Sequence, residues 1–146
     1  MDGKITKMKK ITHRQRAILA LEGKQPDYVP TFELAFQLTE EAFGERFYQG
    51  NENDDLSEKD RMELCRKNAA LYLKIAERYE HSIIMIASAP SSIYPQRSRE
   101  LVWTMEFIRD AARKKGEDYL LITHGDATFT IPEGECVGES GSHSCY

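Results

Sequence analysis

The sequence predicts an α/β protein built on parallel strands with flanking helices. Two runs carry that expectation: SIIMIAS at residues 82–88 and YLLIT at residues 119–123 are continuous, apolar and rich in β-branched side chains. Such strands are covered on both faces, as in a parallel sheet. The third observation is the spacing. Amphipathic stretches of helical length separate the runs, as right-handed β-α-β crossovers require.

Each element has a local cause. Thr12 and Gln15 form a T-x-x-Q capping box, in which each side chain satisfies a backbone donor left free at a helix start. Arg14, Ile18 and Leu21 follow at helical spacing, and Gly23 supplies a left-handed stop. Pro26 and Pro30 bracket Asp27, Tyr28 and Val29, and residues before proline are pushed into extended geometry. Residues 28–34 are therefore expected to form a short first strand, with Pro30 tolerable near its beginning. Residues 38–49 read as a helix interrupted by Gly44. NENDDLSEKD (51–60) supplies a polar loop, and a long helix begins at Ser57 and runs to about residue 80. Its apolar rows are Cys65, Ala69, Tyr72, Ala76 and Tyr79 beside Leu64, Leu71 and Ile75. Beyond the strand at 82–88, a helix is expected over 98–115, with Leu101, Met105, Ile108 and Ala112 on one face and Gly116 as its stop. The strand at 119–123 closes the series. The three strands are expected side by side in the order 1-2-3.

The bulk composition sets limits. A chain of 146 residues with 40% hydrophobic and 30% charged residues is one soluble domain's worth of sequence. A net charge of -4 excludes a general phosphate-backbone binder, so no nucleic-acid partner is expected. No run approaches the ~20 apolar residues that cross a bilayer. The lysines at 4, 7, 9 and 10 lack the apolar core of a secretory signal. Residues 1–11 read as a flexible basic N-terminus and 134–146, polar and rich in glycine and serine, as a disordered tail. Three cysteines, an odd number, fit a reducing compartment, and the expected location is the cytoplasm.

Candidate site residues follow from where ligands bind in parallel α/β sheets, at the carboxyl ends of the strands. Glu33, at the end of the first expected strand, is a charge within an apolar run, to be explained by function or by an arginine partner at a rim. Ser88 ends the second strand. No G-x-S-x-G elbow surrounds it, so it starts a loop or hydrogen-bonds a ligand. His124, Gly125 and Asp126 end the third. That imidazole and carboxylate could transfer protons, bind a metal or hydrogen-bond a ligand, and the glycine would admit a close approach. The same three residues also suit a plain strand-to-loop turn. Glu33, His124 and Asp126 are thus the candidate catalytic residues, and Ser88 and Gly125 the candidate substrate-binding ones. Cys136, His143 and Cys145 fall short of the four ligands of a structural zinc site. Cys65, Trp103, Met85 and Met105 read as core, and no metal set is assigned.

The stretch R-x-x-x-A-L-E-G-K-x-P-D-x-V-P has a further meaning. Its residues are Arg16, Ala20, Leu21, Glu22, Gly23, Lys24, Pro26, Asp27, Val29 and Pro30. It resembles the opening of the uroporphyrinogen decarboxylase-like superfamily, which includes that decarboxylase and the corrinoid-dependent methyltransferases. GDATFTI (125–131) is similar, more weakly, to the segment ending that family's third strand. The resemblance covers about residues 12–133 and implies the N-terminal part of a (β/α)8 TIM barrel, with three of the eight strands. Because such a barrel needs about 250 residues, the chain is expected to be a truncated or split member, inactive alone.

Departures from the decarboxylase pattern choose between branches. Ala35, Phe36 and Gln37 stand where the resemblance would place a substrate-binding arginine, and Ala87, Ser88 and Ala89 where it would place an aspartate. The leading expectation is therefore a parent methyltransferase that binds zinc and exchanges methyl with a corrinoid protein, with no cofactor held by this chain itself. The alternatives are a tetrapyrrole decarboxylase of porphyrin biosynthesis, and a non-catalytic α/β module that binds a ligand or partner. Partners implied are the remainder of the barrel or a corrinoid protein, with self-association through exposed strand edges.

Overall fold

The computed structural model describes residues 11–48, 55–86 and 95–123. Their elements, in order, are α1 (His13–Leu21), α2 (Thr39–Phe43), α3 (Glu58–Arg78), β1 (Ile83–Ile86), α4 (Pro95–Lys114) and β2 (Leu120–Thr123). β1 and β2 pair in parallel, with Ile83 level with Leu120 and Ile86 level with Thr123.

The expected three-strand portion of a TIM barrel is overturned. The described residues form four helices and a sheet of two strands, β1-β2. Residues 28–34 make no strand. The Thr31 carbonyl accepts from the backbone N–H of Ser82 at 2.9 Å and of Ile83 at 3.3 Å, so the segment meets the start of β1 at this one residue. The cause is local. Pro30 has no N–H to give a ladder, and Asp27 and Tyr28 are committed to α1, as described below. Val29 is 77% exposed and Leu34 59%, so no covered apolar face fixes a register. β2 differs too. Its side chains are half-buried or exposed, whereas all four of β1 are buried.

The helix signals fare better. Thr12 caps α1 and both halves of the capping box form, Gln15 N–H to Thr12 Oγ1 and Thr12 N–H to Gln15 Oε1. Ser57 caps α3 by accepting from the Asp60 N–H. Gly44 ends α2 in the left-handed region, which shortens the helix expected over 38–49. Gly23 follows α1 at φ 70°, with open space where a Cβ would stand. Gly23→Ala is thus opposed by backbone strain alone, and a loss of about 1 kcal/mol is expected in equilibrium unfolding.

Faces rotate slightly from expectation. Arg16 and Ala17 are the buried residues of α1, while Leu21 is 74% exposed. Leu73 joins the buried row of α3, and Tyr79 lies outside it. The expected face of α4 holds: Leu101, Ile108 and Ala112 are buried, with Met105 packed beside them. The core lies where these residues meet Ala69, Leu73 and Ala76 of α3, Ile84 and Ile86 of β1, and Tyr119. Arg66 of α3 lies 4.2 Å over the Phe107 ring of α4, so its stem packs while its charge stays near water. The chain after α2 is clipped to α3 by Asn68, whose amide accepts from the Tyr48 N–H and donates to the Tyr48 carbonyl.

Candidate functional site

A cation at 2% exposure is the most costly feature of the described core, and Arg16 is that cation. The fourth residue of α1, it points at the turn that follows the helix. Its Nε donates to Asp27 Oδ1 at 2.6 Å and its Nη2 to Asp27 Oδ2 at 2.9 Å. This is the bidentate fork that a planar guanidinium makes with a carboxylate. Nη1 reaches Ser82 Oγ at 3.3 Å and His13 Nδ1 at 3.1 Å. The guanidinium carbon sits 3.6 Å from the centroid of the Tyr28 ring, which covers its face. The helix, the Pro26-Asp27 turn and the residue before β1 are therefore fastened at one point.

The sequence positions these groups. The capping box fixes where α1 begins, Gly23 turns the chain at φ 70°, and Asp27 lies in the bend that follows Pro26. Arg16 holds the Asp27 carboxyl below its usual range, chiefly through their hydrogen bonds, and Asp27 in turn raises Arg16.

Beside this clasp is a depression of about 580 Å³, bounded by α1, the 27–28 turn, the end of α3 and residues 115–119. His13 stacks on Tyr119, with centroids 4.8 Å apart and planes within 9°. Burial pushes the Tyr119 hydroxyl up to about 12. Lys115 pairs with Glu77, and His13 Nε2 lies 3.7 Å from Glu117 Oε2. The charges of the depression largely answer one another. All three Arg16 nitrogens have protein partners, so recognition of an anion there would first have to break the Asp27 pair.

The residues anticipated from sequence do not meet here. Glu33 is exposed, on the segment leading to α2. Its charge is felt instead by His81, just ahead of β1, whose ring stacks near Tyr79 with centroids 6.0 Å apart. Ser88, His124, Gly125 and Asp126 lie outside the described residues. Sequence reasoning gave no site role to His13 or His81, and took Arg16 and Asp27 only as parts of a motif. The available signals were an arginine on the inner face of a helix, an aspartate fixed behind a proline, and a histidine abutting a buried strand.

Burial lowers the pKa of His81, against the opposing pull of Glu33. A base whose folded pKa is depressed stabilises the fold above its unfolded value of about 6.5, and that contribution is lost as pH falls through the lowered value. Between about pH 7.5 and about pH 5, stability should fall less steeply in His81→Gln than in the parent, read from urea midpoints at each pH.

Among the described residues no group of three or more His, Cys, Asp and Glu side chains could hold an ion. Cys65 is 2% exposed, and burial pushes its thiol up, away from the thiolate that binds metal. No helix among the described residues is long and apolar enough to cross a membrane. No protein-family model, curated protein or solved structure matches the chain.

Proposed function

We propose that this chain belongs to the uroporphyrinogen decarboxylase-like superfamily, in its methyltransferase-like branch, and that it acts as a scaffold which a partner polypeptide completes. The observation that supports this is the clasp. Arg16, Gly23 and Asp27, residues of the motif that carries the resemblance, act together structurally: the arginine takes the aspartate, and the glycine turns the chain between them. Motif residues spent on each other hold a scaffold and leave chemistry to groups supplied elsewhere. The exposed Val29, Phe32, Leu34 and Leu38 add an apolar strip suited to a protein partner. Absence of an arginine at Ala35, Phe36 or Gln37 weighs against tetrapyrrole carboxylate binding.

The test uses two assays, with the chain alone and with the product of the adjacent reading frame co-expressed. Expected is no turnover by the chain alone in either assay, and methyl transfer from methylcobalamin to a thiol by the co-purified complex. Conversion of uroporphyrinogen by the chain alone would overturn the proposal. So would a co-expressed pair that forms no complex and transfers no methyl group.

A further inference from the structure

We propose that His13 is a proton-sensitive latch: as the neutral ring it fastens α1 to the residues entering β2, and its protonation loosens that fastening.

A guanidinium carries donors only and keeps its charge throughout the range in which proteins fold. At the 3.1 Å contact between Arg16 Nη1 and His13 Nδ1, Nδ1 must therefore be the acceptor. The proton of the neutral ring then sits on Nε2, on the side of Glu117. Arg16 has no room to retreat. Asp27 holds two of its nitrogens, Ser82 Oγ engages the third, and Tyr28 covers its face.

An imidazolium has two donors and no acceptor. Protonation of Nδ1 would set one N–H against another between atoms that packing has fixed. Other charged groups line the same depression. Asp27 answers Arg16, and Glu77 of α3 answers Lys115. On the outer side Arg14 pairs with Asp118 at 3.9 Å. Glu80, just beyond α3, lines the depression, and Glu117 lies at Nε2; both carboxylates favour the imidazolium. The Glu117 side chain is 30% exposed and 3.7 Å away, so its pull is screened, whereas the Arg16 side chain is 3% exposed. The donor conflict therefore decides the outcome. The ring relieves it by turning toward Glu117, which breaks the stack on Tyr119 and undoes a side-chain contact between α1 and the approach to β2. The backbone bond from the Arg14 N–H to the Asp118 carbonyl, 2.8 Å, and the exposed Arg14–Asp118 ion pair then remain at that end of the helix.

Nitrogen NMR on the full chain near pH 7.5 should find His13 with Nδ1 bare and Nε2 protonated. Amide exchange, corrected for intrinsic rates, gives the second reading in a His81→Gln background. Between about pH 7.5 and about pH 5.5, protection of α1 should fall on the order of tenfold relative to α4. In His13→Gln, whose amide oxygen accepts from Arg16 without titrating, it should stay level. An Nδ1–H tautomer at neutral pH would overturn the proposal, as would equal acid sensitivity of α1 with and without His13. Should His13→Gln fail to fold, the tautomer in the parent chain decides.

Discussion

Arg16→Ala is expected to lower the free energy of unfolding by about 3 kcal/mol, the low end of the range for breaking a buried ion pair. Three losses combine. The two charge-assisted bonds to Asp27 go, Ser82 at 0% exposure loses a partner for its hydroxyl, and the Tyr28 ring loses the cation it covers. The low end applies because the Asp27 side chain is 39% exposed and returns to water once its partner is gone. Arg16→Lys should recover little, since an ammonium cannot make the planar fork to both carboxylate oxygens. Urea unfolding followed by circular dichroism gives both numbers. A loss below about 1 kcal/mol for Arg16→Ala would reduce the clasp to an ordinary surface ion pair.

Ile108→Ala should cost as much or more, about 3–4 kcal/mol. Ile108 is 1% exposed in the α4 face that meets α3 and β1, within the cluster of Ala69, Leu73, Ile84, Leu101 and Ala112. Three carbons vanish from a site enclosed by residues of two helices and a strand, so a cavity term adds to the transfer term. Ile108→Val keeps most of the volume and should cost about 1 kcal/mol. Near-equal losses for the two substitutions would mean that α4 is not seated on the core as described.

These two positions differ in how legible they were. Ile108 follows from spacing, because Leu101, Met105, Ile108 and Ala112 mark one helical face whatever the fold around it. The cap at Thr12, the start of α3 at Ser57 and the stop at Gly116 are legible for the same reason: each acts within a few residues of itself. Arg16 was visible only as part of a motif. Its role depends on a carboxylate 11 residues away and a hydroxyl 66 residues away, which periodicity does not report.

The first strand failed for a related cause. Residues 28–34 have an extended, apolar look, yet a strand exists only where a neighbour completes its ladder. Pro30 and the capture of Asp27 by Arg16 leave Thr31 as the one residue bonded to β1's start. With no strand there, Glu33 has no strand end to occupy, and it stands exposed near His81. Tyr79 falls outside the buried face because it ends its apolar row at the C-cap of α3, where it is 43% exposed.

Arg16 and Asp27 act on each other as one structural unit, and a double-mutant cycle measures that most directly. Urea unfolding of the parent, Arg16→Ala, Asp27→Ala and the double variant supplies the four stabilities. Asp27→Ala alone strands a buried guanidinium, and Arg16→Ala alone removes the clasp. The double variant should therefore be no less stable than the worse single one. Losses that simply add would show that the two residues stabilise the chain independently, and would contradict the clasp.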